Sequence, residues 1–243
     1  VTPSTSAIPI IALDVATADD AMTLARRVGD AGRFFKVGSE LFTVAGPPIV
    51  RALRDELGAD VFLDLKFHDI PNTVAGAVRS AVALGVRLAT VHASGGRAML
   101  EAAQNAWRAT GGPSGGDGGL LGVTVLTSFD AASLGKAWGR DSLVIETEVA
   151  RLAAESVGAG LHGVVCSGAE AAGVRATHGD RLAVLVPGIR FAGGSAHDQQ
   201  RVMTPAKAQA TGARYLIIGR AVTAAADPAE AMARVVAELG GER

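Results

Sequence analysis

The chain has 243 residues, 49% hydrophobic and 19% charged, a balance that excludes intrinsic disorder and leaves room for one α/β barrel or two small domains. A formal net charge of −1 provides no global attraction to nucleic acid or an anionic membrane, so any anionic ligand must be caught by a local site. Cys166 is the only cysteine, which excludes an intrachain disulfide, and inside GVVCS it reads as a small buried hydrophobe. The opening VTPSTSAIPIIALD has no basic n-region and too short an apolar run for a signal sequence, and no stretch approaches a membrane span. The expectation is a soluble, cytoplasmic protein.

Short aliphatic runs then alternate with segments of helical period. The expected strands are IPIIALDV (8–15), RFFKVG (33–38), VFLDLKF (61–67), LATVHA (88–93), LLGVTVLT (120–127), GVVCS (163–167), LAVLVPGI (182–189) and YLIIGR (215–220). Helices are expected over 19–28, 48–57, 71–84, 97–108, 145–157 and 228–239. Val/Ile-rich strands that alternate with helices form a parallel sheet, and about eight such repeats close it into a (β/α)8 TIM barrel, here one domain over 1–243. The Gly-rich GGPSGGDGG at 111–119 reads as a loop before the fifth strand.

Such barrels work at the C-terminal ends of their strands, and the chemistry-bearing residues fall there. Asp14 ends the first strand, Lys36 the second, Asp64 and Lys66 the third, His92 the fourth and Thr127 the fifth, while Arg190 and Arg220 follow the seventh and eighth. Strand alternation puts Phe62, Asp64 and Lys66 on one face of the third strand and Val61, Leu63 and Leu65 on the other. An acid and a base on an enclosed face either neutralise one another as a structural ion pair or await a charged ligand. Lys36, Asp64, Lys66 and Asp69 form a set whose charges can alternate in sign around a small site. An ammonium flanked by carboxylates is a poor Schiff-base nucleophile but a good proton donor to a carbanion. Asp69 lies in the strand-to-helix loop ahead of Pro71, where its plain reading is an acid near a helix N-terminus. His92 reads equally as a hydrogen-bonded core histidine.

A phosphate site is expected in the loops after strands seven and eight, VPGIRFAGG and IIGRAV. Gly188 and Gly219 permit close backbone approach, Arg190 and Arg220 offer guanidinium forks, and Gln199 in the long loop can reach over a ligand. The five histidines show no paired-ligand spacing, and neither a GxGxxG nor a Walker motif is present, so neither metal nor cofactor is expected.

DLKFHDIPNTV at 64–74 closely resembles the signature of the orotidine 5'-monophosphate decarboxylases. The likeness continues through ALDV around Asp14, FKVG around Lys36, VLTS around Thr127, VPGIR around Arg190, DQQRVMTP around Gln199 and IIGRAV around Arg220. It implies that Asp14 and Lys36 hold the ribose side of the nucleotide and that Asp64 and Lys66 sit at the reacting carbon. Thr127 would lie near the pyrimidine, and Arg190, Gln199, Gly219 and Arg220 would grip the phosphate. It also implies a homodimer in which Asp69 and Thr73 reach the neighbouring site, and cofactor-free conversion of orotidine 5'-monophosphate to uridine 5'-monophosphate and CO2. His197, before Asp198, and Ala221, after Arg220, depart from the family pattern. The rival readings are a metal-assisted sugar-phosphate decarboxylase, epimerase or aldolase on the same barrel, and a non-catalytic nucleotide-phosphate sensor.

Overall fold

The computed structural model describes residues 6–113, 118–191 and 203–240. The elements alternate as expected from the apolar pattern: β1 (Ile8–Ala12), α1 (Ala18–Val28), β2 (Phe34–Gly38), α2 (Ser39–Leu57), β3 (Asp60–Phe67), α3 (Pro71–Ala83), β4 (Leu88–His92) and α4 (Arg97–Ala109). They continue as β5 (Gly119–Val123), α5 (Ala131–Trp138), α6 (Ile145–Gly158), β6 (Gly163–Val165), α7 (Gly168–His178), β7 (Ala183–Ile189), α8 (Pro205–Ala210), β8 (Tyr215–Ile218), α9 (Arg220–Thr223) and α10 (Pro228–Glu238). The eight strands form a closed barrel in sequence order, every pair parallel, with β8 returning to β1 through Ile8↔Tyr215 and Ile10↔Ile217.

Alternation along the strands divides the apolar residues into two layers. Ile10, Phe34, Phe62, Leu88, Leu121, Leu185 and Tyr215 fill the barrel interior, while Ile11, Leu13, Val61, Leu63 and Val184 face the helices. At the base, the Tyr215 hydroxyl meets His162 Nε2 at 2.8 Å, which satisfies a phenol that is otherwise wholly enclosed. Helix ends follow local chemistry. Thr17 Oγ1 caps α1 by accepting from Asp20 N at 3.1 Å, and Pro71 opens α3, where a missing N–H costs nothing.

The differences from expectation are instructive. The helix expected over 48–57 begins at Ser39, is interrupted at Gly46 (φ 60°), and resumes through Pro47 and Pro48. A glycine takes the positive φ and the prolines occupy a first turn that needs no N–H partners, so the sequence supports two short helices end to end. The expected strands at 8–15 and 120–127 stop at Ala12 and Val123, because the chain then leaves the stave to form the mouth of the barrel. Helices α5, α7, α8 and α9 add to the expected set. The fifth-strand loop expected over 111–119 lies partly outside the described residues, since 114–117 are not among them.

Candidate active site

A cavity of about 590 Å³ opens at the C-terminal ends of the strands, and Asp14, Lys36, Asp64, Lys66, Thr127, Arg190, Gly219 and Arg220 all contribute to its wall. On one side the charges alternate. Lys36 Nζ donates to Asp14 Oδ1 at 2.8 Å and lies 4.0 Å from Asp64 Oδ2, which also accepts from Lys66 Nζ at 2.8 Å. The middle of the array is the least exposed: the Lys36 side chain is 10% exposed and Asp64 14%, against 63% for Asp14 at one end and 34% for Lys66 at the other. The inner pair is therefore held in a medium where charge interactions are strong, and the Lys66 ammonium points to the open part.

The approach of Lys36 to the backbone explains the glycine of FKVG. A Cβ on Gly38 would stand 2.9 Å from Lys36 Nζ and 3.5 Å from Asp14 Oδ1, so a side chain there would displace the ammonium from its carboxylates. Lys66 has the only positive φ (52°) of any non-glycine among the described residues, a conformation that costs roughly 1–2 kcal/mol for an L-residue. It sits where β3 and β4 leave register: Leu63 pairs with Ala89 and Phe67 with Val91, so residues 64–66 lie opposite Thr90 alone. Thr90 is a site residue that sequence reasoning missed. Its Oγ1 accepts from Lys66 N at 2.9 Å and donates to Asp64 Oδ1 at 3.0 Å. The available signal was parity, since Leu88, Thr90 and His92 share the inward face of β4.

Next to this array the His92 ring lies 5.1 Å from that of His68, centroid to centroid. Burial holds the His92 pKa below its usual value, the positive charges of His68 and Lys66 add to that effect, and Asp64 opposes it. Cys166 also reaches the cavity, but burial pushes its thiol far above the ordinary range, as expected of an inert core cysteine.

On the other side stand the β7 and β8 loops. Arg190 is buried, and its Nη1 donates to Ile189 O at 3.0 Å. The Arg190 N–H donates to Met203 O at 2.9 Å, which pins the loop's two ends together. A Cβ on Gly219 would come within 3.7 Å of Arg190 Nη1, so the two expected Gly/Arg segments meet in space. Arg220 opens α9 at the rim. Thr127 is joined by Ser128, and Pro187 and Thr223 extend the wall.

Asp69 and Thr73 do not line the cavity of their own chain. They lie on the exposed segment 68–73, where Asp69 Oδ1 accepts from the Ile70 N–H at 2.6 Å. The carboxylate that completes the array within one chain is Asp14. Gln199 lies outside the described residues. Among the described residues no three His, Cys, Asp or Glu side chains are grouped to hold a metal, and no helix is long and apolar enough to cross a membrane.

A closed eight-stranded parallel barrel with an alternating lysine–aspartate array at its working end defines a barrel enzyme. The family model for the orotidine 5'-phosphate decarboxylase / HUMPS family matches residues 8–235. An orotidine 5'-phosphate decarboxylase of Dichelobacter nodosus is 49% identical over 231 residues, covering 95% of this chain and 97% of that protein. One of Pseudomonas paraeruginosa is 46% identical over 231 residues, with the same coverage of both chains. The crystal structure of orotidine 5'-phosphate decarboxylase from Lactobacillus acidophilus superposes with a TM-score of 0.85 at 32% identity, over 98% of this chain and 100% of that one. The chain belongs to the orotidine 5'-phosphate decarboxylase / HUMPS family, and it is an enzyme of the carboxy-lyase class.

Proposed function

We propose that the chain converts orotidine 5'-monophosphate to uridine 5'-monophosphate and CO2 without metal or cofactor, with Lys66 stabilising the developing charge and then protonating C6. The observation that carries this reading is the Lys66 ammonium, anchored at 2.8 Å to Asp64 and one-third open to the cavity. The bond between C6 and the carboxylate breaks, its electron pair stays on C6, and one Lys66 proton moves to C6. Solvent water then returns a proton to the amine. A localised carbanion has no electron sink, so it needs a fixed cation at the point where charge develops. One charge pair at 4 Å and an effective dielectric of 20 contributes about 4 kcal/mol, roughly three decades in rate.

The remainder comes from binding energy away from the reacting carbon. Arg190, Gly219 and Arg220, with Gln199, grip the phosphate; Thr127 meets the pyrimidine; Asp14 and Lys36 hold the ribose. Two chains form the working unit, with Asp69 and Thr73 of one reaching the site of the other; their exposure, and their not lining their own chain's cavity, support that arrangement. The test is the ultraviolet absorbance of orotidine 5'-monophosphate incubated with the protein in excess EDTA. A shift to the product spectrum is expected. Turnover abolished by chelator and restored by a divalent cation would favour the metal-assisted alternative.

A further inference from the structure

Thr90 is wholly buried in the middle of β4, between the apolar Ala89 and Val91. Its hydroxyl has one proton to give. The Lys66 amide can only donate and the ionised Asp64 carboxylate can only accept, so the hydroxyl accepts from the first at 2.9 Å and donates to the second at 3.0 Å. Asp64 Oδ2 in turn accepts from Lys66 Nζ at 2.8 Å. These three bonds close a ring in which the backbone and the side-chain tip of Lys66 are both tied to one carboxylate, the backbone through one hydroxyl. Three residues of β3 stand opposite Thr90 in the bulge, and a positive-φ lysine persists only where its surroundings hold it.

We infer that Thr90 is a positioning residue: its hydroxyl holds the left-handed backbone of Lys66 and turns the Asp64 carboxylate, and so sets where the ammonium points. Its effect on turnover rests on the decarboxylase reading; its effect on the geometry does not.

The experiment compares Thr90→Val and Thr90→Ser in the full chain. Thr90→Val is expected to lower kcat roughly 10- to 100-fold, because a misplaced group of about 1 Å has that effect, with KM for orotidine 5'-monophosphate changed less than about threefold. Thr90→Ser, which keeps the hydroxyl, restores most of kcat; Thr90→Ala replaces the valine variant if that one fails to fold. A Thr90→Val enzyme with wild-type kcat, or a serine variant no better than valine, overturns the inference. If the unaltered chain leaves the substrate intact, the decarboxylase reading fails instead. A crystal structure of Thr90→Val then decides the geometry: Lys66 leaves the left-handed region if the hydroxyl holds it there, and stays if it does not.

Discussion

Lys66 is the more accessible of the two ion-paired lysines in the array, and removing its ammonium should separate catalysis from folding. Lys66→Ala should lower kcat by at least about three decades, the worth of one well-placed charge, while the unfolding midpoint moves little. Activity within tenfold of the unaltered enzyme would exclude this lysine as the proton donor. His92 gives a prediction in pH. Its pKa is depressed in the folded chain by burial, then by His68 and Lys66, so the unfolded chain binds a proton first as the pH falls. The stability that neutral His92 retains above about pH 6.5 is lost as the pH falls through that value towards its lower folded pKa. Urea denaturation at about pH 7.5 and about pH 5.5 should show a smaller loss for His92→Asn than for the unaltered chain; equal losses would exclude His92 as the source.

At the scale of elements, the wall that carries Thr127 is braced from behind. Asp130 caps α5 by accepting from Ser133 N at 2.8 Å, and Arg140, just after that helix, pairs with Glu148 in the first turn of α6. Glu148 is buried and also accepts from Arg151 Nε at 2.9 Å. Burial alone would raise its pKa, but the hydrogen bonds and charges of Arg140 and Arg151 outweigh it and hold the carboxyl below its usual value. Glu148→Gln should cost about 1–3 kcal/mol at neutral pH. The difference should shrink as the pH falls below about 4, because a depressed carboxylate stabilises only while it is ionised. Denaturation curves at both pH values check this, and a pH-independent difference would point to packing alone.

The same scale shows what the sequence made legible. Eight aliphatic runs and their inward parity were visible because a parallel strand under helices must be apolar, and charges at its end then stand out. Helix α7 was also open to reading, since Ser167 and Glu170 form a capping box of the S-x-x-E type. The break at Gly46 and the role of Thr90 were not. The first depends on how two short helices meet, and the second on a slip between β3 and β4 that neither strand encodes alone.

For the whole molecule, the segment 68–73 is exposed throughout, with Ile70 68% exposed, directly after the strand that carries Lys66. A single chain's sequence marks Asp69 as part of the charged set but cannot say whose cavity it serves. If it serves the neighbour's, mixing Asp69→Ala protein with Lys66→Ala protein should restore up to about a quarter of the sites, because random pairing makes about half of the dimers hybrids and each hybrid has both defects in one site and none in the other. Absence of recovery, with subunit exchange demonstrated by a tagged partner, would return Asp69 to its own chain.

The stopper at the base of the barrel has a consequence for traffic. Beneath the charged array the interior is solid, from Phe62 and Leu88 down to Tyr215 and its bond to His162. Among the described residues, the packed base closes that end of the barrel, and the cavity opens at the other. On the proposed chemistry, nucleotide in, nucleotide out and the liberated gas all share one doorway, so whatever closes over the bound phosphate also decides when CO2 escapes.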